Sequence, residues 1–117
     1  MQEVERNLEQ EHEALNQLDH PNIIKMINYD TGEYTNKSTG EHYSVNYMIL
    51  EYAEGGDLFN YVQSTGRFSE KLARHFFLQI LNAIKYSHDK NICHRDLKLE
   101  NIMLDKDYNI KLIDFGF

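Results

Sequence analysis

One segment in the second half of the chain limits the possible folds more than any other. From Ser69 to His88 there is no glycine or proline, and apolar side chains recur four residues apart. This spacing predicts a long amphipathic helix, because it places the apolar side chains on one face. Ser69 is a natural N-cap, and Glu70 favours the positive end of the helix. The apolar positions expected to contribute to the core are Leu72, Ala73, Phe76, Phe77, Ile80, Leu81 and Ile84.

Strand-like runs on both sides of this helix predict an α+β fold. Residues 23–29 and 43–52 have the composition of two antiparallel strands. The polar stretch between them, residues 30–42, holds two glycines and no periodicity, so we expect an exposed and mobile insertion. Residues 102–104 and 110–113 predict a second strand pair around a short turn.

Two further helices are predicted, one at the start of the chain and a short one over residues 58–63, which Asp57 is placed to cap. Residues 2–19 contain no glycine or proline, and their apolar residues recur at helical spacing. Glu11 interrupts this apolar series, and an inward carboxylate is costly unless it is paired. Two interpretations stay open from periodicity alone: a helix edge or coiled-coil seam where Glu11 bends out to water, or a buried ion pair. The series is Val4, Leu8, Glu11, Leu15 and Leu18.

Composition excludes several functional classes. The net charge is −7 and no run of lysine or arginine occurs, so binding to nucleic acid or to an anionic membrane is not favoured. No apolar run is long enough for a membrane helix, and the first residues lack the apolar region of a signal peptide. Cys93 is the only cysteine and cannot form an internal disulfide, so we expect a cytoplasmic or nuclear setting. We expect Cys93 itself to be a small buried apolar residue.

Groups that can bind phosphate and metal are concentrated in the last residues, CHRDLKLENIMLDKDYNIKLIDFGF. His94 to Asn101 fill the pattern H-R-D-L-x-x-x-N, and Asp114 to Gly116 fill D-F-G, which are both protein-kinase signatures. The second motif follows the first across a hairpin-like pattern of apolar runs, which is the expected context. The chain therefore resembles the eukaryotic protein kinases.

The resemblance extends over the whole chain except the polar insertion. EHEALNQLDHPNIIKM is similar to the family's αC helix running into its fourth strand, and YMILEYAEGGDLF to the strand and hinge that join the two lobes. The segment from Ser69 to Asp96 resembles the long αE helix entering the catalytic loop. This implies a partial kinase domain, in which residues 1–52 belong to the small lobe, with the insertion at 30–42, and residues 53–117 to the large lobe.

The resemblance assigns roles in phosphoryl transfer to four residues. Asp96 is expected to orient the substrate hydroxyl and accept its proton, and Lys98 to lie beside the γ-phosphate of ATP. Asn101 and Asp114 are expected to supply oxygen ligands to Mg²⁺, a hard cation that prefers carboxylate, amide and phosphate oxygens.

The same resemblance places the nucleotide. Leu50 is expected to be the gatekeeper, Glu51 and Ala53 to offer backbone groups to adenine, Asp57 to bind the ribose, and Met103 to form the floor of the adenine pocket.

Further residues have structural or regulatory roles by this resemblance. Glu11 is expected to pair with a strand lysine that holds the α- and β-phosphates. Arg95 can hold the phosphate of a phosphorylated activation loop, and Gly116 completes the D-F-G motif. The side chains expected to stack and couple the two lobes are Leu15, Met26, His94 and Phe115.

Some residues of the motifs indicate the class of substrate. Lys98 in H-R-D-L-K is the serine/threonine version of the loop, and Phe117 resembles the choice of kinases that prefer serine. Asp57 and Glu100 occupy positions where acidic residues often read arginines upstream of the phosphoacceptor, so we expect a protein substrate with upstream basic residues. The residues of the A-E-G-G-D-L and H-R-D-L-K-L-E-N segments most resemble those of the calcium/calmodulin-dependent and AMP-activated-like kinases.

Parts of the family pattern do not occur in the 117 residues. No glycine-rich loop and no V-A-I-K-type lysine precede Glu11, and no activation segment follows Phe117. We therefore expect a central fragment of a kinase domain that is marginally stable alone, exposes an apolar face of its long helix, and is inactive or nearly so. The alternative is a truncated, non-catalytic binding or regulatory protein that docks a partner through that face.

Overall fold

The computed structural model describes residues 2–115, with side chains from residue 8 onward. The helices are α1 (Gln2–Asn16), α2 (Leu58–Thr65) and α3 (Glu70–Asp89), with a short 3-10 helix at Leu99–Asn101. The strands are β1 (Met26–Thr35), β2 (His42–Leu50), β3 (Gly56–Asp57), β4 (Ile102–Leu104) and β5 (Ile110–Leu112). The α+β class predicted from the sequence is confirmed. The side chain of Val4 and the residues Gly116 and Phe117 lie outside the described part.

Helix α3 forms where the sequence predicts it. The Ser69 hydroxyl accepts a hydrogen bond from the Leu72 N–H at 3.2 Å and so caps the first turn. Phe76 is buried, and three further members of the apolar stripe pack against the core. The other predicted core positions are instead exposed: Ala73, Phe77 at 59% and Leu81 at 45%. Helix α3 therefore presents an apolar face to solvent.

Strands β1 and β2 form a long antiparallel hairpin that runs from the Met26–Leu50 pair to the Thr35–His42 pair. The expectation of a loop over residues 30–42 is wrong, because the strands continue through most of it. The connection is only a tight turn, in which the Asn36 N–H donates to the Glu41 carbonyl at 2.8 Å. Polar residues do not end the strands here because this part of the hairpin is solvated on both faces.

The second sheet, β3–β4–β5, holds the tightest part of the core. The side chains of Leu104, Ile110 and Leu112 are fully buried. Gly55 lies directly against this sheet, since a Cβ there would be 2.8 Å from backbone and side-chain atoms of Leu104. Its N–H donates to the Leu104 carbonyl at 2.8 Å, which holds the segment after β2 on the edge of β4.

The N-terminal part is fastened to β5 by a short extended segment. Asn22 is buried, and its side-chain amide donates to the Ile110 carbonyl at 3.0 Å. The Ile24 N–H donates to the Leu112 carbonyl, and the Leu112 N–H to the Asn22 carbonyl, both at 2.9 Å. The strand predicted from Ile23 is therefore this bridge, and β1 begins only at Met26. Helix α1 likewise ends at Asn16, before the predicted Asp19.

No helix among residues 2–115 is both long enough and apolar enough to cross a membrane.

Candidate active site

The candidate catalytic loop leaves α3 through a left-handed residue, Asn91, whose φ is 60°. Ile92 then turns inward, and its N–H donates to the Ser87 carbonyl at 2.9 Å. Cys93 is exposed, so the prediction that it is buried is wrong. The loop has no regular structure here, and the buried position belongs to the next residue, His94.

His94 joins the loop to the end of β5. Its Nδ1 accepts the Asp96 N–H at 3.2 Å, so Nε2 carries the proton and donates to the Ile113 carbonyl at 2.6 Å. The ring meets Phe115 edge to face, with ring centroids 4.6 Å apart. Because His94 is 2% exposed and both nitrogens are engaged, it fixes the position of Asp96 relative to Asp114.

Asp96 is held by its neighbours in the loop. The side-chain amide of Asn101 donates to the Asp96 carbonyl at 2.9 Å and to its carboxylate at 3.2 Å. The Lys98 ammonium lies 3.5 Å from the same carboxylate oxygen, and both of those side chains are about half exposed. A buried amide on one side and a half-exposed ammonium on the other leave the carboxylate accessible from solvent.

Two residues of the site have left-handed backbone conformations, Arg95 with a φ of 70° and Asp114 with a φ of 61°. Such conformations cost free energy for residues other than glycine, and they persist where the surroundings impose them. Here His94 and Phe115, each adjacent to one of these residues, are buried against each other.

Asn101 and Asp114 come close through the backbone. The Ile113 N–H donates to the Asn101 carbonyl at 3.1 Å, which sets Asp114 one residue beyond that bond. The amide nitrogen of Asn101 is used by Asp96, and its amide oxygen accepts no hydrogen bond from the residues described. The backbone bond thus brings Asn101 next to the residue before Asp114, and the Asn101 amide oxygen is left without a partner among the described residues.

Glu11 approaches this region from α1. Its side chain is half buried, and burial, assisted by the negative charge of Asp114, raises its pKa to about 7. Glu11 forms no ion pair with any lysine or arginine in the described part of the chain. It points inward as a carboxylate without a cation, so its pairing with a strand lysine stays a prediction.

Comparison with known proteins decides the family, because residues 1–117 match the family model described as the protein kinase domain. The chain belongs to the protein kinase family. It is 41% identical over 114 residues to a "Probable serine/threonine-protein kinase" of Dictyostelium discoideum, covering 97% of this chain and 12% of that protein.

The "NUAK family SNF1-like kinase 1" proteins of mouse and human are each 42% identical to the chain over 110 residues. These matches cover 94% of this chain and 15% of each relative. The chain therefore spans less than a fifth of the length of these relatives, and the resemblance to serine/threonine kinases found in the sequence is confirmed.

The segment after β2, which the resemblance predicts to bind adenine, has two backbone groups without partners in the described part of the chain. The Glu51 N–H donates to the Lys25 carbonyl at 2.8 Å, whereas the Glu51 carbonyl accepts nothing from the described residues. The Ala53 N–H likewise has no acceptor among them. The N6 amino group and N1 of adenine would need one such acceptor and one such donor, and binding of adenine here stays a prediction. The neighbouring Leu50 and Met103 are half buried.

Asp57 takes up the capping position that the sequence predicts. Its carboxylate accepts from the Asn60 N–H at 2.7 Å and from the Asn60 side chain at 2.9 Å, so it caps α2. Binding of the ribose by Asp57 stays a prediction and requires a spare lone pair on one of these oxygens.

The side chains predicted to couple the lobes lie in or against one core. Leu15 and Phe115 are buried in it, Met26 packs on it, and His94 contacts Phe115. Met26 also lies beside α1, with its sulfur 3.1 Å from His12 Nδ1.

Two supporting contacts of the site region were not predicted from the sequence. The Glu51 carboxylate lies 3.3 Å from the Lys111 ammonium, which ties the segment after β2 to β5. Gln79 on α3 donates to the Asn109 side chain at 2.9 Å and accepts the Ile110 N–H at 2.8 Å. The only local signal for Gln79 is its place as a polar residue beside the apolar stripe.

Proposed function

We propose that the chain supplies the hinge, catalytic loop and magnesium-binding residues of a serine/threonine protein kinase, which transfers the γ-phosphate of ATP to hydroxyls of protein substrates. The observation that carries this proposal is the convergence of Lys98 and Asn101 on the Asp96 carboxylate, at 3.5 Å and 3.2 Å. Membership of the kinase family supports it. In the same proposal, residues 1–52 form small-lobe structure and residues 53–117 large-lobe structure.

Asp96 acts on the substrate hydroxyl. A partly exposed carboxylate, oriented by an amide donor, can accept a hydrogen bond from a serine or threonine hydroxyl and then its proton. Asn101 keeps the Asp96 carboxylate in one orientation, because its amide binds the backbone carbonyl and the carboxylate of Asp96 together. Lys98, within reach of the same carboxylate, offers a cation to the phosphate that is transferred.

The donor groups of the site fit a magnesium nucleotide. Mg²⁺ usually takes one or two protein oxygens together with phosphate and water oxygens. The Asn101 amide oxygen and the Asp114 carboxylate provide such a pair, and no cluster of three or more metal-binding side chains occurs among residues 2–115. When bound, Mg²⁺ neutralises phosphate charge that Asp114 alone would repel.

The finer features of the kinase belong to the same proposal. Asp57 and Glu100 read basic residues upstream of the phosphoacceptor, and Arg95 holds a phosphate on the activation loop. A single exposed cysteine and the need for ATP favour an intracellular setting, cytoplasmic or nuclear.

The 117 residues alone are expected to be inactive. They contain no glycine-rich loop, and Glu11 has no cationic partner within the described part. The alternative, a non-catalytic binding protein, is not favoured, because Asp96, Asn101 and Asp114 are all retained and the relatives reported above carry the names of kinases.

A phosphotransfer assay on the full-length protein tests the proposal, with labelled ATP, Mg²⁺ and a serine peptide that carries upstream arginine. Asp96→Asn should lower kcat by at least about a hundredfold, because general-base catalysis contributes that much or more. Asp107→Asn, in the exposed β4–β5 turn, is the matched control and should leave kcat unchanged. Equal activity of wild type and Asp96→Asn would refute the mechanism, and equal rates with and without the upstream arginine would remove the basic-substrate claim.

A further inference from the structure

The β1–β2 hairpin has one face that neither the kinase site nor α1 uses. Side chains alternate between the two faces of each strand. Tyr29 marks the face toward α1, where its ring stacks on His12 with centroids 4.0 Å apart. The opposite face, here called the outer face, is formed by Asp30, Gly32, Tyr34, Tyr43, Val45 and Tyr47.

The aromatic rings of the outer face are arranged before any partner binds. Tyr34 and Tyr43 lie directly opposite each other, with ring centroids 5.1 Å apart. The Tyr47 ring lies against Gly32, where a Cβ would come within 3.0 Å of it. The three rings are 50%, 44% and 37% exposed. Exposed tyrosines grouped on a regular strand pair are typical of protein contact surfaces, because each offers a large area with few rotatable bonds.

The charge of the hairpin selects the kind of partner. From Met26 to Leu50 there are three carboxylates, one lysine and no arginine. One of these carboxylates, Asp30, is on the outer face and directly opposite Tyr47. Tyrosine rings attract cations over their faces, and a carboxylate among the rings adds an ion pair to that attraction.

We infer that the outer face binds an arginine- or lysine-bearing segment of a partner protein. The guanidinium or ammonium groups lie over Tyr34, Tyr43 and Tyr47 and pair with Asp30. A second copy of the chain is a poor occupant, because its own net charge is −7 and it has no basic run to offer. Nucleic acids and anionic lipid surfaces are repelled by the same charge.

Fluorescence anisotropy with a short labelled peptide, in which arginine alternates with serine, tests the inference on the full-length protein. Tyr34→Leu and Tyr43→Leu keep apolar area but remove the aromatic face, and each should raise Kd about two- to fivefold. Asp30→Asn should raise Kd by a similar factor, and this difference from wild type should shrink at high salt. The Asn side chain keeps the acceptor that binds the Thr31 N–H at 2.7 Å, so this variant should fold.

Glu33→Gln is the matched control, because it removes the same charge from the same strand on the face toward α1, opposite Ser44. It should leave Kd unchanged, and far-UV circular dichroism should be identical for all variants. Three results would overturn the inference: equal binding of a peptide with glutamate for arginine, equal weakening by Glu33→Gln and Asp30→Asn, or self-association of the protein that Tyr43→Leu abolishes.

Discussion

Replacing Gln79 is predicted to destabilise the fold far more than its position on a surface-facing helix suggests. Its side chain donates to Asn109 in the β4–β5 turn and accepts the backbone N–H of Ile110 in β5. No other side chain of α3 bonds to both elements in the described part of the chain. Ile110 is fully buried, so water cannot replace the lost acceptor. Gln79→Ala therefore leaves one buried donor unsatisfied and removes a second hydrogen bond.

The magnitude follows from these two bonds. An unsatisfied buried N–H costs about 1–3 kcal/mol, and loss of a partly exposed hydrogen bond about 0.5–1.5 kcal/mol. We expect Gln79→Ala to lower the free energy of unfolding by about 2–4 kcal/mol. Gln79→Glu keeps an acceptor for Ile110 and loses only the donor to Asn109, so it should cost only about 0.5–1.5 kcal/mol.

Urea unfolding followed by far-UV circular dichroism measures the effect, with the osmolyte TMAO added where a variant is unfolded in buffer. Asn82→Ala, at an exposed position of the same helix, is the control, because it makes a similar change in helix propensity without touching β5. The reasoning fails if Gln79→Ala and Asn82→Ala unfold within about 0.5 kcal/mol of each other.

Three further predictions concern the site and its support. The pKa of Glu11 is raised from 4.5 to about 7 in the folded state. Between these pH values the folded chain binds more protons than the unfolded chain, so stability should fall as the pH rises from 4.5 to about 7. Discounted for the partial exposure of the side chain, the loss of stability is about 1–2 kcal/mol. Urea titrations of Glu11→Gln should show no decrease in stability over this pH range, and a decrease equal to that of wild type would contradict the assignment. Gly55→Ala should lower stability by about 1–3 kcal/mol, because its Cβ would lie 2.8 Å from the Leu104 and Asp105 backbone. A melting temperature equal to that of wild type would disprove this close contact. In the full-length protein, Asn101→Ala should weaken binding of MgATP and lower kcat together, measured by calorimetry and phosphotransfer; unchanged magnesium dependence of nucleotide binding would remove Asn101 from the metal site.

Local patterns in the sequence predicted the elements whose causes are local. Helix α3 has an N-cap residue and apolar residues at helical spacing, and β4 is a short apolar run bounded by turn residues. The ends of both elements were therefore predicted to within a residue or two. The catalytic loop was found because its chemistry requires fixed residue types at fixed spacing.

The parts that were missed depend on distant partners or on solvent. The extension of β1 over residues 30–35 has no alternation of apolar and polar residues, because no core covers either face there. Gln79 and Asn22 bind partners 31 and 88 positions away, and no local pattern identifies such pairs. Cysteine is usually buried, but Cys93 is exposed because its position in an irregular loop decides its exposure.

The fastening of Asn22 to Ile110 has a consequence for biosynthesis. The acceptor of this bond is made 88 residues after the donor, which at ordinary translation rates is a delay of about 4–18 s. During that interval the apolar residues Ile23 and Ile24 have been synthesised, but the strand against which they are buried in the finished chain has not. We therefore expect the nascent chain to bind a holding chaperone, and slowing translation before Ile110 should lengthen that association in a ribosome pull-down.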